Sequence, residues 1–162
     1  MGSPTNLSDR GAGEMAAASK MHGEPLAQLN ALTRWYIISG FVLLSLLPLL
    51  MLGAELSQAL TPDVVTYTGI LAGAVVLFLG GIGIKFLPSS LGGNPHVYNL
   101  RMALWSYWFL LAGTAGYGLT FLVQMILSGL FFDIYFSLVS FSFFAGTGLL
   151  LYNLWKTMQH RV

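Results

Sequence analysis

Apolar residues gather in four long stretches, at 35–56, 64–87, 102–130 and 134–155, separated by short connections richer in polar residues and glycine. Each stretch is 22 residues or longer, and about 20 apolar residues in a helix cross the ~30 Å hydrocarbon core of a bilayer. The pattern therefore predicts an all-α, integral membrane four-helix bundle. Short connections make consecutive helices antiparallel neighbours. At 29 residues the third stretch exceeds an upright crossing, so it is expected to tilt or to lay its first turn, with Trp105, Tyr107 and Trp108, along the interface. Pro48 falls inside the first stretch and predicts a kink there. The run Pro88-Ser-Ser-Leu-Gly-Gly-Asn-Pro-His96 reads as a loop that extends neither flanking helix.

Outside these stretches the chain divides into a polar tail, residues 1–33, the transmembrane domain, 34–157, and a short end, 158–162. In the tail, Leu26, Leu29 and Leu32 recur at helical spacing. A short interfacial helix over residues 25–32 is expected, ahead of the first crossing. The rest of the tail has too little apolar content to order itself, so a partner is expected to hold it, with those leucines against a neighbouring subunit or the interface. The segment before Met51-Leu-Gly-Ala54 is too long for a signal peptide. Asn6 stands where a myristoylation signal needs Ser or Thr.

Charge orients the four crossings. Arg10, Lys20, Arg34, Lys85, Arg101, Lys156 and Arg161 all fall in the two tails or around the middle connection, while the other connections carry only Glu55, Asp63 and Asp133. Basic residues are retained on the cytoplasmic side, which places both termini in the cytoplasm. Aromatic residues mark both boundaries: Trp35, Tyr36, Trp105, Trp108, Tyr152 and Trp155 on the basic side, and Tyr67, Phe131, Phe132 and Tyr135 on the other. A multi-pass protein of a bacterial cytoplasmic (inner) membrane is expected.

Composition narrows the chemistry. Hydrophobic residues make up 56% and charged residues 8%, where a soluble domain carries roughly 25% charged. The net charge of +1 is scattered over helix ends and implies no nucleic-acid partner. The absence of cysteine removes disulfides, iron–sulfur clusters and thiolate metal sites. No ionisable residue lies in the central part of any stretch, which argues against proton pumping, ion transport and acid–base catalysis. His22, His96 and His160 fall in the tails and the middle loop, away from where imidazoles on facing helices would clasp a haem. No catalytic residue and no metal site follow.

Two sets of residues inside the stretches remain. Gly69 and Gly73 form a small-xxx-small pair in the second, and Gly113 and Gly116 lie in the third. Such glycines let helix backbones touch. Tyr117, Thr120 and Gln124 fall at i, i+3 and i+7 on the third stretch, where interhelical hydrogen bonding is expected and a lipid or a quinone is the ligand such a stripe would hold. No cofactor is predicted.

Three segments resemble a known family. Thr61-Pro62 followed by Val65-Thr66-Tyr67-Thr68-Gly69-Ile70-Leu71-Ala72-Gly73, ending in Ile84-Lys85-Phe86-Leu87-Pro88, is similar to the haem-ligand helix of haem-copper oxidase catalytic subunits, above all the C-type oxidases and nitric-oxide reductases. Leu100-Arg101-Met102-Ala103-Leu104-Trp105-Ser106-Tyr107-Trp108-Phe109 resembles the start of that family's penultimate helix. The run from Gly146 to Thr157, with Tyr152-Asn153-Leu154-Trp155-Lys156-Thr157, resembles its closing pattern. The likeness covers residues 61–157, and small four-helix relatives share it. Thr66 and Thr68 stand where the family's paired histidines would be, and hydroxyls do not ligate iron or copper as imidazoles do. The resemblance thus implies a scaffold without its metal site. The expected function is a non-catalytic, accessory subunit of a larger respiratory or energy-transducing membrane complex, with other membrane subunits and the bilayer as partners. The alternative is a quinone- or haem-binding redox membrane protein of the same superfamily.

Overall fold

The computed structural model describes the backbone of residues 7–56, 64–90, 99–127 and 129–159, and side chains from residue 26 onward except 53–56 and 88–89. These residues form four helices: α1 (Leu7–Leu56), α2 (Val64–Ser90), α3 (Leu100–Ile126) and α4 (Leu130–Gln159). Each contains a span long and apolar enough to cross a membrane, at Leu26–Leu52, Val64–Leu87, Leu100–Ile126 and Leu130–Gln159.

Several boundaries differ from the sequence expectation. α1 is one helix of 50 residues, so residues 25–32 are continuous with the first crossing and form no separate interfacial helix. Leu29 and Leu32, expected to face a partner, are buried in the chain's own core together with Tyr36, Leu77, Ile84 and Leu110. The helix continues through Pro48. α2 runs through Pro88 to Ser90, whose hydroxyl donates to the Leu87 carbonyl at 3.1 Å. A proline so close to the C-terminus removes a single backbone bond, which the rest of the turn tolerates.

The third crossing ends at Ile126, 27 residues long, and Leu130 belongs to α4. The break falls at Ser128-Gly129 inside the long apolar stretch. Leu127 leaves the helix in an extended conformation, its N–H donating to Val123 O at 2.7 Å. Gly129 then turns the chain at φ 61°, a conformation glycine adopts without the penalty a Cβ imposes. Asp133 N donates back to Gly129 O at 3.2 Å. At the other end, Asn99 caps α3 with φ −145° and ψ 110°, and its side-chain oxygen accepts from Met102 N at 3.2 Å. Asp133 in the first turn of α4 and Lys156 in its last complement the helix dipole.

Close glycine contacts hold neighbours in sequence together, all antiparallel. A Cβ on Gly40 of α1 would lie 2.8 Å from Ala74 O and 2.9 Å from Phe78 N of α2, and one on Gly81 would lie 2.8 Å from Ile37 Cγ1. Between α2 and α3, Gly69 seats the Tyr117 ring and Gly73 seats the Thr114 side chain. Between α3 and α4, a Cβ on Gly113 would meet the Phe143 backbone N at 2.7 Å, one on Gly116 would meet Val139 at 2.5 Å, and one on Gly146 would meet Leu110 N at 2.6 Å. Lipid is as apolar as leucine, so van der Waals fit of this kind carries helix association. The helices form two hairpins joined along α2 and α3; among the described residues α1 and α4 are not neighbours.

Candidate functional site

Three groups of polar side chains bridge helices inside the described spans. The first joins α1 to α3. The Tyr36 hydroxyl donates to Ala103 O at 3.0 Å and pairs with Ser106 Oγ, which itself bonds Ala103 O at 2.8 Å. One turn further along α1, Ser39 Oγ lies 2.8 Å from the Tyr107 hydroxyl. The two tyrosine rings meet at 5.1 Å between centroids. Tyr36 was assigned to the interfacial aromatic belt from sequence, yet it is fully buried. Its hydroxyl finds acceptors inside the chain because α3 presents a serine and a carbonyl one turn apart. Trp35, its neighbour, faces outward.

A second group fastens α4 to the start of α3. Buried Asn153 accepts from the backbone N–H of Asn99 and donates through Nδ2 to its carbonyl, both at 3.0 Å. A primary amide reproduces both halves of a peptide pairing, so one side chain satisfies both backbone groups of the capping residue. Thr157 Oγ1 donates to Asn153 O at 2.7 Å.

The third group contains the stripe proposed from sequence. Tyr117 lies between α2, α3 and α4: its hydroxyl is 3.0 Å from Ser140 Oγ, and its ring meets Phe136 and Phe143 edge-on. Thr120 is buried and donates to Gly116 O of its own helix at 3.1 Å. Tyr135 of α4 donates to the same carbonyl at 2.6 Å. Gln124 is exposed, so the structure does not gather Tyr117, Thr120 and Gln124 at one place. The first two act within the α3–α4 seam. Both hydroxyls are engaged with groups of the chain, Tyr117 across to α4 and Thr120 within its own helix.

Thr66 and Thr68, the residues at the histidine positions of the resembled family, point apart. Thr66 is buried, whereas Thr68 is exposed and bonds the carbonyls of Val64 at 2.5 Å and Val65 at 3.2 Å. Two residues apart on a helix is about 200° of rotation, which separates such a pair onto opposite faces. His96 and His160 lie outside the described residues, as does the side chain of His22. Among the described residues no group of three His, Cys, Asp or Glu is placed to hold a metal ion. Thr33 Oγ1 is the buried polar atom among them that lacks a hydrogen-bond partner.

Two grooves flank the hydroxyl bridge between α1 and α3. One, of about 290 Å³, lies at the end bearing Arg34 and Arg101 and is lined by Gln28, Ala31, Leu32, Trp35, Leu100 and Leu104. The other, of about 390 Å³, opens beyond the bridge between Leu43, Leu46 and Leu50 of α1 and Ala115, Gly118 and Leu122 of α3, with Ile70 of α2 also lining it. Sequence reading found neither the hydroxyl bridge nor the grooves. The signal available was the recurrence of Leu32, Ser39, Leu43, Leu46 and Leu50 on one face of α1, opposite a serine and tyrosine of α3. No known protein family, curated protein or solved structure matches the chain.

Proposed function

We propose that this chain is a non-catalytic subunit of a larger membrane assembly of the respiratory or energy-transducing kind, seated in a bacterial cytoplasmic membrane with both termini in the cytoplasm. The observation that carries this reading is the length of α1. Fifty residues measure about 75 Å at 1.5 Å per residue, against 40–45 Å for a bilayer with its headgroups, so about 30 Å projects beyond the membrane. The projecting part contains Gly11, Gly13, Gly23 and Pro25, residues of low helix propensity, and an isolated helix of that length is marginal in water. A partner surface along it supplies the missing stabilisation.

Two further features support the reading. Within the membrane, 11% of the first span's most apolar stretch is buried in the chain, against 39% for the second, which leaves most of α1 for lipid or for another subunit. Tyr36, Ser39, Tyr117, Tyr135 and Asn153 spend their polar groups on helix-to-helix bonds, the use expected of a scaffold. The orientation follows from the seven basic residues, and the respiratory setting from the likeness of residues 61–157 to haem-copper oxidase subunits, with threonine at the metal-ligand positions.

The test is extraction from native membranes in a mild detergent, comparing the full chain with a variant lacking residues 2–24. Both insert, because Arg34 still marks the first crossing. The full chain is expected to migrate with a larger assembly and the truncated chain to separate from it. A full-length chain that is monodisperse and alone in native membranes, with an activity of its own, overturns the proposal.

A further inference from the structure

We infer that the basic end of the bundle holds one anionic phospholipid, its phosphodiester between Arg34 of α1 and Arg101 of α3 and the glycerol end of an acyl chain in the groove beside them. Shape and charge meet at this place. The Tyr36 hydroxyl pins α1 to α3 at Ala103 O and Ser106. Toward the start of both crossings, Gln28, Ala31, Leu32 and Trp35 of α1 face Leu100 and Leu104 of α3 around a groove of about 290 Å³. Ligand sites run from about 300 Å³ upward, so a groove of this size suits part of a molecule whose remainder lies in the bilayer. The groove is formed within one chain, and its occupancy requires no partner subunit.

Charge identifies the occupant. Arg34 adjoins Trp35 and Arg101 adjoins Leu100, so a cation borders the groove on each helix. Both arginines are exposed. Lys85 near the end of α2 and Lys156 in the last turn of α4 lie at the same end of the bundle. Among the described side chains Asp133, at the opposite end, is the one carboxylate, so no described acid neutralises this end. The arginines, the Gln28 amide and the Trp35 indole offer N–H donors around the groove. A phosphodiester is an anionic acceptor, and a guanidinium meets two of its oxygens at once.

Depth agrees with charge. Trp35 and, on α3, Trp105 and Trp108 are exposed at this level, where amphipathic rings mark the headgroup boundary. The polar rim of the groove therefore sits among phosphates, and its walls of Ala31, Leu32, Leu100 and Leu104 lead into hydrocarbon. A free phosphate gains nothing from those walls, and a lipid with a zwitterionic head brings an ammonium of its own against the arginines. An anionic phospholipid satisfies both halves, and basic pockets between membrane helices are where such headgroups bind.

The test uses the full chain in mild detergent, titrated with phosphatidylglycerol or with phosphatidylcholine of the same acyl chains, the bound lipid being counted by native mass spectrometry. Phosphatidylglycerol is expected to bind more tightly. Arg34→Gln and Arg101→Gln should each weaken it about fivefold, the equivalent of about 1 kcal/mol for a basic residue at an anionic surface, and leave phosphatidylcholine unchanged. Each single variant keeps the other basic residues that orient the chain. Lys156→Gln, on a helix that does not adjoin α1 among the described residues, should leave the preference intact. Ala31→Phe, at an exposed position on the groove wall, should weaken both lipids. Five results each overturn the proposal: equal binding of the two lipids, a loss with Lys156→Gln that matches the arginine variants, no effect of Ala31→Phe, displacement of phosphatidylglycerol by an equal concentration of glycerol phosphate, which marks a site for a free anion, or high-yield cross-linking of a photoreactive residue at position 31 to another protein in native membranes, which marks a subunit contact.

Discussion

Gly146 and Gly148 sit two residues apart on α4 and make opposite predictions for the same substitution. A Cβ on Gly146 would lie 2.6 Å from Leu110 N and 3.0 Å from Ser106 O, both backbone atoms of α3, while one on Gly148 would meet nothing within 4 Å. Ordinary contact begins near 3.4 Å, so Gly146→Ala requires α3 and α4 to part by 3.4 − 2.6 = 0.8 Å, with no flexible side chain available to yield. A radial gap of 0.5–1 Å forfeits a quarter to a half of the dispersion attraction. Along this seam the loss extends to the neighbouring contacts of Gly113 on Phe143 and Gly116 on Val139. Overpacking of this kind costs about 1–3 kcal/mol, and dispersion is the main force joining helices in lipid. Gly148→Ala creates no clash and replaces glycine by a better helix former, worth up to about 1 kcal/mol in water. The two alanine variants should therefore differ by about 2 kcal/mol, more than tenfold in the unfolding constant. Reversible unfolding in mixed micelles of mild detergent and dodecyl sulfate, followed by circular dichroism and tryptophan fluorescence, measures the difference. If the variants agree within about 0.5 kcal/mol, the α3–α4 seam is not the tight contact described.

Three other outcomes follow from the same geometry. Tyr36→Phe removes a hydroxyl bonded to Ala103 O and Ser106 and should destabilise the chain by about 0.6–1.7 kcal/mol, with Ser39→Ala at the low end, since bonds in membrane interiors average about 0.6 kcal/mol; micelle unfolding checks the order, and a neutral Tyr36→Phe refutes the bridge. Asn153→Leu leaves the Asn99 N–H without its partner and takes one of two donors from the Asn99 carbonyl, which keeps Ala103 N–H, and should cost more than Thr157→Ala, which removes a hydroxyl bonded to Asn153 O within α4; faster amide exchange at Asn99 in the Asn153→Leu variant is the specific readout. For orientation, single cysteines at Ser90 and Ser57 of this cysteine-free chain should react with an impermeant maleimide from opposite sides of the membrane, and reaction of both from one side refutes the proposed topology.

Amino-acid order alone determined four helices, each long and apolar enough to cross a membrane, because a run of about 20 apolar residues satisfies its backbone in lipid as a helix and in few other ways. It located the glycines of α2 and α3, since small residues at helical spacing have few other uses in such a segment. Helix ends were less legible: Leu127 and Gly129 break α3 from α4 through dihedral angles, and the sequence marks the place only by the short Ser128-Gly129 pair between apolar neighbours. The polar tail offers no apolar periodicity from which to read a helix before residue 25, yet α1 is a single helix from Leu7; hydropathy registers which face is buried and not whether the backbone is helical. The direction in which each polar side chain points was decided by tertiary structure. Tyr36 and Trp35 are adjacent aromatics at the same depth, but only one has Ser106 and Ala103 opposite it. Tyr117, Thr120 and Gln124 share helical spacing, yet α4 covers the first with Ser140 and leaves the third exposed. Leu29 and Leu32 join the core because α1 reaches α3 at that level, and Leu43, Leu46 and Leu50 line a groove because, farther along, the two helices have parted. Which residues meet across a membrane bundle depends on where helices converge, and that is fixed by contacts between segments far apart in sequence.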